Sequence, residues 1–500
     1  MRYQLRHSSA APAGLRGGVP RGRVHILTGP TAALLTTVCT VETRDVPGLI
    51  TRPLARLGIR KSAMDRAVEP PLSPMAPVDL DDDAAVTDVL NLALEISSIL
   101  LASGEAAADT VTQAESVAGA FGLPGATVEV TFTSLMIGVN RRRGRPPLSV
   151  IRVVDYRTVD MTRVTRVSRL IDQIVRRRLT VEQATAEVEE IVAAPHPHSF
   201  RVAVLGWAML GCAIVIQLGG SPIAGILSMI STFGLMYTTR FLSVRGLPAF
   251  FQQVAGGFIA AGWALASFAV LSDEFIEIKP SQLVAAGIIV LLAGLTLVGA
   301  IEDAITGFPV TSAGRGVETM IITGGILGGI TLALELFDRL GTSPPAIDPS
   351  ITGQAPGHIA VLAAGVGAAG FAVASYATVR ATIVGACVGS TGMLIYLGVN
   401  YFDLGVVVGS AFAACAMGLI GGILARIATV PPLVVTLAGI TPFLPGLSVY
   451  RGLAALTSDQ TGVGLGLLFQ ALAIAVALAA GIVFGEWVTR NLRRSAAAEL

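Results

Sequence analysis

The stretch Ile305-Thr-Gly-Phe-Pro-Val-Thr-Ser-Ala-Gly-Arg-Gly316 has a partner about 135 residues downstream, Ile440-Thr-Pro-Phe-Leu-Pro-Gly-Leu-Ser-Val-Tyr-Arg-Gly452. Both are rich in Gly and Pro, both carry one Arg near the end, and both lie between long apolar runs. Interruptions in corresponding places of two apolar halves point to the binding site of a secondary transporter. Glycines let backbones approach closely, and proline stops a regular helix from continuing. An unwound segment frees backbone N–H and C=O groups, which neighbours, water or a ligand must satisfy.

The sequence outside these stretches has the composition of a membrane protein. Of the 500 residues, 53% are hydrophobic and only 14% charged, and the mean hydropathy is +0.70. The apolarity is concentrated after residue 200, in runs of the length that crosses a bilayer. Ten spans are expected, at 202–218, 221–239, 249–271, 281–301, 317–336, 357–377, 382–399, 405–428, 431–449 and 463–485. Pro431, Pro432, Pro442 and Pro445 make the ninth a discontinuous or re-entrant helix. Basic residues set the orientation. Arg240, Arg245, Arg315, Arg380, Arg426, Arg490, Arg493 and Arg494 follow even-numbered spans, whereas the opposite side has Lys279, Arg339 and Arg451. Both termini are therefore expected in the cytoplasm. The net charge of +1 says nothing about partners, because in a membrane protein the distribution of charge matters and the sum does not. Cys212, Cys387 and Cys415 fall within apolar spans, where a thiol behaves as a small hydrophobe, and with Cys39 they have the spacing of neither a metal site nor a disulfide framework.

Six regions are expected. Residues 1–77 are a basic, Pro-rich disordered tail without a cleavable signal, with Met64 as an alternative start. Residues 78–199 are a small α+β domain, 200–340 the first five-span half, 341–356 an extracytoplasmic loop, 357–489 the second half and 490–500 a basic tail. Within the α+β domain the apolar period predicts helices over Ala84–Ser103 and Glu105–Phe121. A strand over Thr127–Val139, a basic turn, a second strand over Leu148–Val154 and helices near 162–179 and 180–194 follow, in the order ααββαα. This domain has no nucleophile elbow, P-loop or Cys/His cluster, and its only His residues are His196 and His198 at its end. It reads as scaffolding or gating, with a membrane-tethered hydrolase as a remote alternative. The fold class is a mainly α, polytopic membrane protein of about ten transmembrane helices in two five-helix inverted halves, preceded by a cytoplasmic α+β domain.

Ionisable groups in apolar surroundings are costly and mark candidate function. Glu302, Asp303 and Glu318 are the proton-coupling candidates, although Glu302, Asp303 and Arg315 also suit ordinary loop charges at the cytoplasmic interface. A zwitterion needs a cation or N–H groups for its carboxylate and acidic or carbonyl oxygens for its ammonium. Arg315, Arg451, Gly307, Pro309, Thr311, Thr441, Pro442, Pro445, Gly446 and Gln252 are the substrate-binding candidates. Glu486-Trp487 reads as an interfacial anchor. No catalytic residue, metal, cofactor or nucleic acid is implied; the partners are small molecules, protons, the bilayer and, as an open expectation, a second copy of the chain.

From about residue 72 to 490 the chain resembles the threonine/serine exporters of actinobacteria. The similarity runs through Met75–Leu80, Ile99–Gly104, Leu205–Met209, Gly246–Gln252, Val254–Ala260, Ile278–Gln282, Val290–Val298, Asp303–Thr311 with Arg315, Pro431–Val434, Ala438–Gly446 and Tyr450–Gly452. The resemblance implies ten spans, an inner-membrane location, and export of L-threonine and L-serine driven by the proton motive force. It places Asp303, Gly307 and Arg315 in a first-half motif and Pro442, Pro445, Gly446 and Arg451 in a second. Related two-subunit transporters, each subunit resembling one half, are associated with dicarboxylate export, so a succinate-like substrate is the alternative.

Overall fold

The computed structural model describes residues 78–141, 145–154, 159–271, 279–291, 294–341, 355–427, 430–457 and 460–498. The expected tail 1–77 and most of the loop 341–356 lie outside these residues.

The described chain opens with helices α1 (Asp83–Ala102) and α2 (Ala107–Ala120). An antiparallel sheet β1 (Ala126–Thr131), β2 (Ser134–Val139) and β3 (Leu148–Val153) follows, then α3 (Met161–Val175) and α4 (Val181–Ala193). Asp82 caps α1, its carboxylate accepting from the N–H groups of Ala84 and Ala85 at 3.0 and 3.2 Å. Helix α1 is apolar enough to pass for a membrane crossing, yet it packs against β2, β3, α2, α3 and α4 and forms the centre of this region's core. An all-round apolar helix needs burial, and here protein supplies it in place of lipid.

The expected long strand is two strands. Thr131 pairs with Ser134, so Phe132 and Thr133 form a two-residue hairpin loop, with Phe132 at φ 54°. Period-two alternation runs on through such a tight turn, which is why the sequence pattern alone does not reveal it. The basic turn after β2 is held to the start of α1: Arg141 pairs with Asp83, and Arg145 reaches Asp83 at 3.0 Å.

Helices α5 (Phe200–Gln217), α6 (Pro222–Val244), α7 (Ala249–Leu271), α8 (Pro280–Leu291), α9 (Gly294–Ile305) and α10 (Pro309–Arg339) come next. They precede α11 (Gly357–Ala374), α12 (Val379–Asn400), α13 (Gly405–Ile427), α14 (Pro432–Ile440), a 3-10 turn (Thr441–Phe443), α15 (Gly446–Thr457) and α16 (Thr461–Ala498). Among the described residues nine helices are long and apolar enough to cross a membrane, one of them α1; a further crossing is formed if α8 and α9, bent by 52°, count as one. The ninth expected span is discontinuous: α14 gives way to the 3-10 turn, Leu444 and Pro445 are non-helical, and α15 begins at Gly446.

Glycine permits the closest helix contacts, as is usual where lipid gives no hydrophobic drive to association. Gly206 on α5 and Gly370 on α11 face each other backbone to backbone. Gly257, Gly325 and Gly329 do the same between α7 and α10, and Gly418, Gly481 and Gly485 between α13 and α16. At Gly257 a Cβ would be driven into the carbonyl of Ile326, whereas at Gly234 on α6 nothing lies within 4 Å. Gly257→Val should therefore cost about 1–3 kcal/mol by overpacking, seen as earlier thermal unfolding of the purified protein. Gly234→Val should unfold as the parent does; equal behaviour of the two variants would contradict this packing.

Candidate functional site

Two glycine turns place the acidic residues of the site. Helix α1 ends with Gly104 at φ 97°, and the N–H of Glu105 bonds to the carbonyl of Leu100 at 3.1 Å. Helix α9 ends with Gly307, also at φ 97°, and the N–H of Phe308 bonds to the carbonyl of Asp303 at 2.7 Å. Both have the Schellman pattern, which demands a left-handed residue that glycine adopts without strain. Pro309 then opens α10 at its first position, where a missing N–H costs nothing. The unwound segment expected over Ile305–Gly316 is thus confined to Thr306–Phe308, and Gly314, Arg315 and Gly316 are helical.

Asp303 is fully buried and Arg315 is 3% exposed. They form an ion pair, Arg315 Nη1 to Asp303 Oδ2, at 2.9 Å. Helix α2 begins at Ala106, which has no side chain able to cap it. Asp303 supplies that cap from a distance: its Oδ1 accepts from the N–H of Ala107 at 2.8 Å. Arg315 Nη2 in turn donates to the carbonyl of Glu105 at 3.2 Å. One turn away the hydroxyl of Thr311 donates to the carbonyl of Val130 at 2.9 Å and accepts from the N–H of Phe132 at 3.1 Å. The Phe132 ring covers Gly314, where a Cβ would meet it. The N-terminal region is therefore fastened to the α9–α10 junction through Asp303, Thr311, Gly314 and Arg315.

A second attachment holds the same region to the α11–α12 turn. The N–H of Met161 bonds to the carbonyl of Ser375 at 2.9 Å, and the Thr162 hydroxyl to that of Tyr376 at 2.5 Å. His196 stacks on Tyr376 and pairs with Asp160 at 2.7 Å.

Beside the first attachment is a cavity of about 30 Å³ lined by Glu105 and Asp109 from the N-terminal region, Val298, Gly299 and Glu302 from α9, Thr436 and Ile440 from α14, and Ile482 and Glu486 from α16. Arg490 on α16 donates to Asp109 at 2.9 Å and to Glu486 at 3.1 Å. Glu105 is 4% exposed. Burial pushes its carboxyl well above the usual carboxylate range, and the nearby Asp109, Glu486 and Glu302 push it further, against Arg490. Among the described residues no group of three or more His, Cys, Asp or Glu is arranged to hold a metal ion.

The candidates read from the sequence meet different fates. Asp303, Thr311 and Arg315 are brought together, and Glu302 lines the cavity. Glu318 is half-buried on α10, one turn past Arg315. Gly307 and Pro309 form the exposed turn. In the second half Thr441 bonds to the carbonyl of Leu437, the Pro442 carbonyl accepts from Gln217 at 3.1 Å, and Pro445 is buried. Gly446 lies against Ile289, near the end of α8, so the two interrupted helices meet close to their breaks. Arg451 is half-buried on α15, which packs on α16 and α8 rather than on the N-terminal region. Gln252 bonds to the carbonyl of Leu247 in its own turn. Glu105, Asp109, Glu486 and Arg490 were missed; Glu486, expected as an interfacial anchor, faces the cavity while Trp487 is exposed. The available signal was an acidic residue closing a long apolar run.

Helices of membrane-crossing length, paired helix interruptions and buried ionic groups between them define a polytopic membrane transporter. A family model described as "Putative threonine/serine exporter" matches residues 91–337, and one described as "Threonine/Serine exporter" matches residues 360–488. The chain is 42% identical to a threonine/serine exporter of Corynebacterium glutamicum, over 88% of this chain and 90% of that protein. It is 32% identical to a "Probable threonine/serine exporter" of Mycobacterium tuberculosis, over 83% of this chain and 79% of that protein. No solved structure matches it. The chain belongs to the threonine/serine exporter family, whose members are transporters and not enzymes.

Asp303→Asn removes the charge that balances a buried guanidinium and should cost about 3–5 kcal/mol. Thermal unfolding at neutral pH measures this, and the double variant D303N/R315Q should recover part of the loss. A D303N protein as stable as the parent would show that the ion pair does not hold the N-terminal region in place.

Proposed function

We propose that this chain exports L-threonine and L-serine across the bacterial inner membrane by proton antiport and alternating access. The substrate comes from the relatives' names. The observation that carries the mechanism is the meeting of two interrupted helices, α8–α9 and α14–α15, whose α9 and α14 segments also line an acidic cavity. Each belongs to the fourth crossing of a five-crossing half. Other packing corresponds as well: α7 on α10 matches α13 on α16, α5 on α6 matches α11 on α12, and α5 meets α11 between the halves. That correspondence supports an inverted repeat with the site at its centre.

The N-terminal region touches the α9–α10 junction, the α11–α12 turn and the end of α16. A ten-span count puts all three on one face. Arg240, Arg245 and Arg380 belong to that face, which supports cytoplasmic termini.

In this cycle Arg315 and Arg451 are the candidates for the substrate carboxylate, and Glu302, Asp303 and Glu318 for the coupled proton. A zwitterion offers a carboxylate to Arg315 and an ammonium to Asp303, so it can take over both ends of the buried pair. A dicarboxylate offers no cation and meets a cavity lined by four acidic side chains. Cells expressing the chain should therefore lose internal threonine and serine to the medium, and a protonophore should abolish the loss. External succinate should leave this efflux unchanged in membrane vesicles. Succinate loss without threonine loss would overturn the substrate reading, and protonophore-resistant efflux would overturn the coupling.

A further inference from the structure

The buried ion pairs leave two carboxylates unaccounted for. Asp303 is matched by Arg315, and Asp109 and Glu486 share Arg490. Glu105 and Glu302 line the same cavity, and among the described residues neither carboxylate accepts a hydrogen bond. Two ionised carboxylates without a donor, lining one small cavity beside two more, repel one another, and taking up a proton relieves that repulsion. Space of about 10–15 Å³ admits one water, so the cavity of about 30 Å³ has room for water and protons but not for an amino acid.

We propose that Glu105 and Glu302 together hold the transported proton, making the N-terminal region part of the coupling machinery. This rests on the proton-coupled reading above. The proton arrives from bulk solvent, relayed by water in the cavity, and one carboxylate of the two becomes a carboxylic acid that donates to the other, directly or through one water. It is released when the N-terminal region parts from α9 and water reaches both groups. The groups facing Glu105 are Asp109 on α2, Glu302 on α9, and Glu486 and Arg490 on α16; α14 presents Leu433, Thr436, Leu437 and Ile440, none of them charged.

The test uses the full chain in proteoliposomes, with labelled threonine moved either by a pH gradient or by threonine exchange without one. In E105Q the ratio of pH-driven to exchange flux should fall about tenfold or more. An unchanged ratio overturns the proposal, and so does an equal loss of both fluxes, which marks a purely structural role. E302Q should show the same fall, so an unchanged ratio in E302Q overturns the proposal even where E105Q does not accumulate. If the parent protein shows no pH-driven flux, proton coupling itself fails, and thermal stability against pH then decides the assignment to Glu105. An acid whose folded pKa is raised stabilises the fold while protonated, and that contribution is lost as pH rises through the folded value. As pH rises above the ordinary carboxylate range the parent should lose more stability than E105Q; equal losses overturn the assignment.

Discussion

The arrangement of the N-terminal region on the membrane helices depends on one buried carboxylate. Asp303 ends α9, balances Arg315 on α10 and caps α2, a helix whose own first residue is alanine. A lone buried charge is strongly unfavourable, and an uncapped helix terminus leaves N–H groups without partners. Each defect is removed by the other. The pairing therefore fixes the register of α2 against the α9–α10 turn, and with it the position of Glu105 at the start of α2 and of Asp109 in its first turn. Thr311 and Gly314 add directional contacts to the hairpin loop, and only a residue without Cβ leaves room for the Phe132 ring.

Besides the Arg490–Asp109 pair at the end of α16, the N-terminal region has two attachments, one in each half of the chain. The first is to the α9–α10 junction and the second to the α11–α12 turn. A body fastened to both halves resists their relative motion, so rearrangement of the helices requires at least one attachment to loosen. The two differ in kind. The second rests on backbone carbonyls and a histidine stack, whereas the first contains the buried ion pair and adjoins the acidic cavity. Charge at the first can be changed by protonation or by a charged ligand, so the first is the attachment that chemistry can address.

Hydropathy made most of the membrane helices legible because a bilayer imposes one simple length on every crossing. Helix α1 has comparable hydropathy but is packed within the N-terminal region, so hydropathy alone does not separate it from the crossings. The prolines of 431–449 announced an interrupted helix, and the interruption falls at Leu444–Pro445. The first-half motif was harder to read, because the glycines at 314 and 316 suggested unwound backbone. Gly314 is helical and serves close packing against Phe132 instead. The acidic cluster was illegible for a different reason. Asp109 and Arg490 are 381 residues apart in sequence, and no local pattern links them.

The cavity's size and charge together constrain how transport can proceed. It is too small for an amino acid, so a substrate can occupy it only if some packing surface opens. The glycine-lined contacts between α7 and α10 and between α13 and α16 are backbone to backbone and resist gradual opening, because packed interiors lose dispersion contacts steeply with separation. The contact between the N-terminal region and α9 is polar and enclosed, and its charged groups regain hydration as they part. Desolvation opposes its closure, and pairing and protonation favour it. A surface where these opposing terms are both large is the one whose balance a single proton, or the two charges of a zwitterion, can reverse.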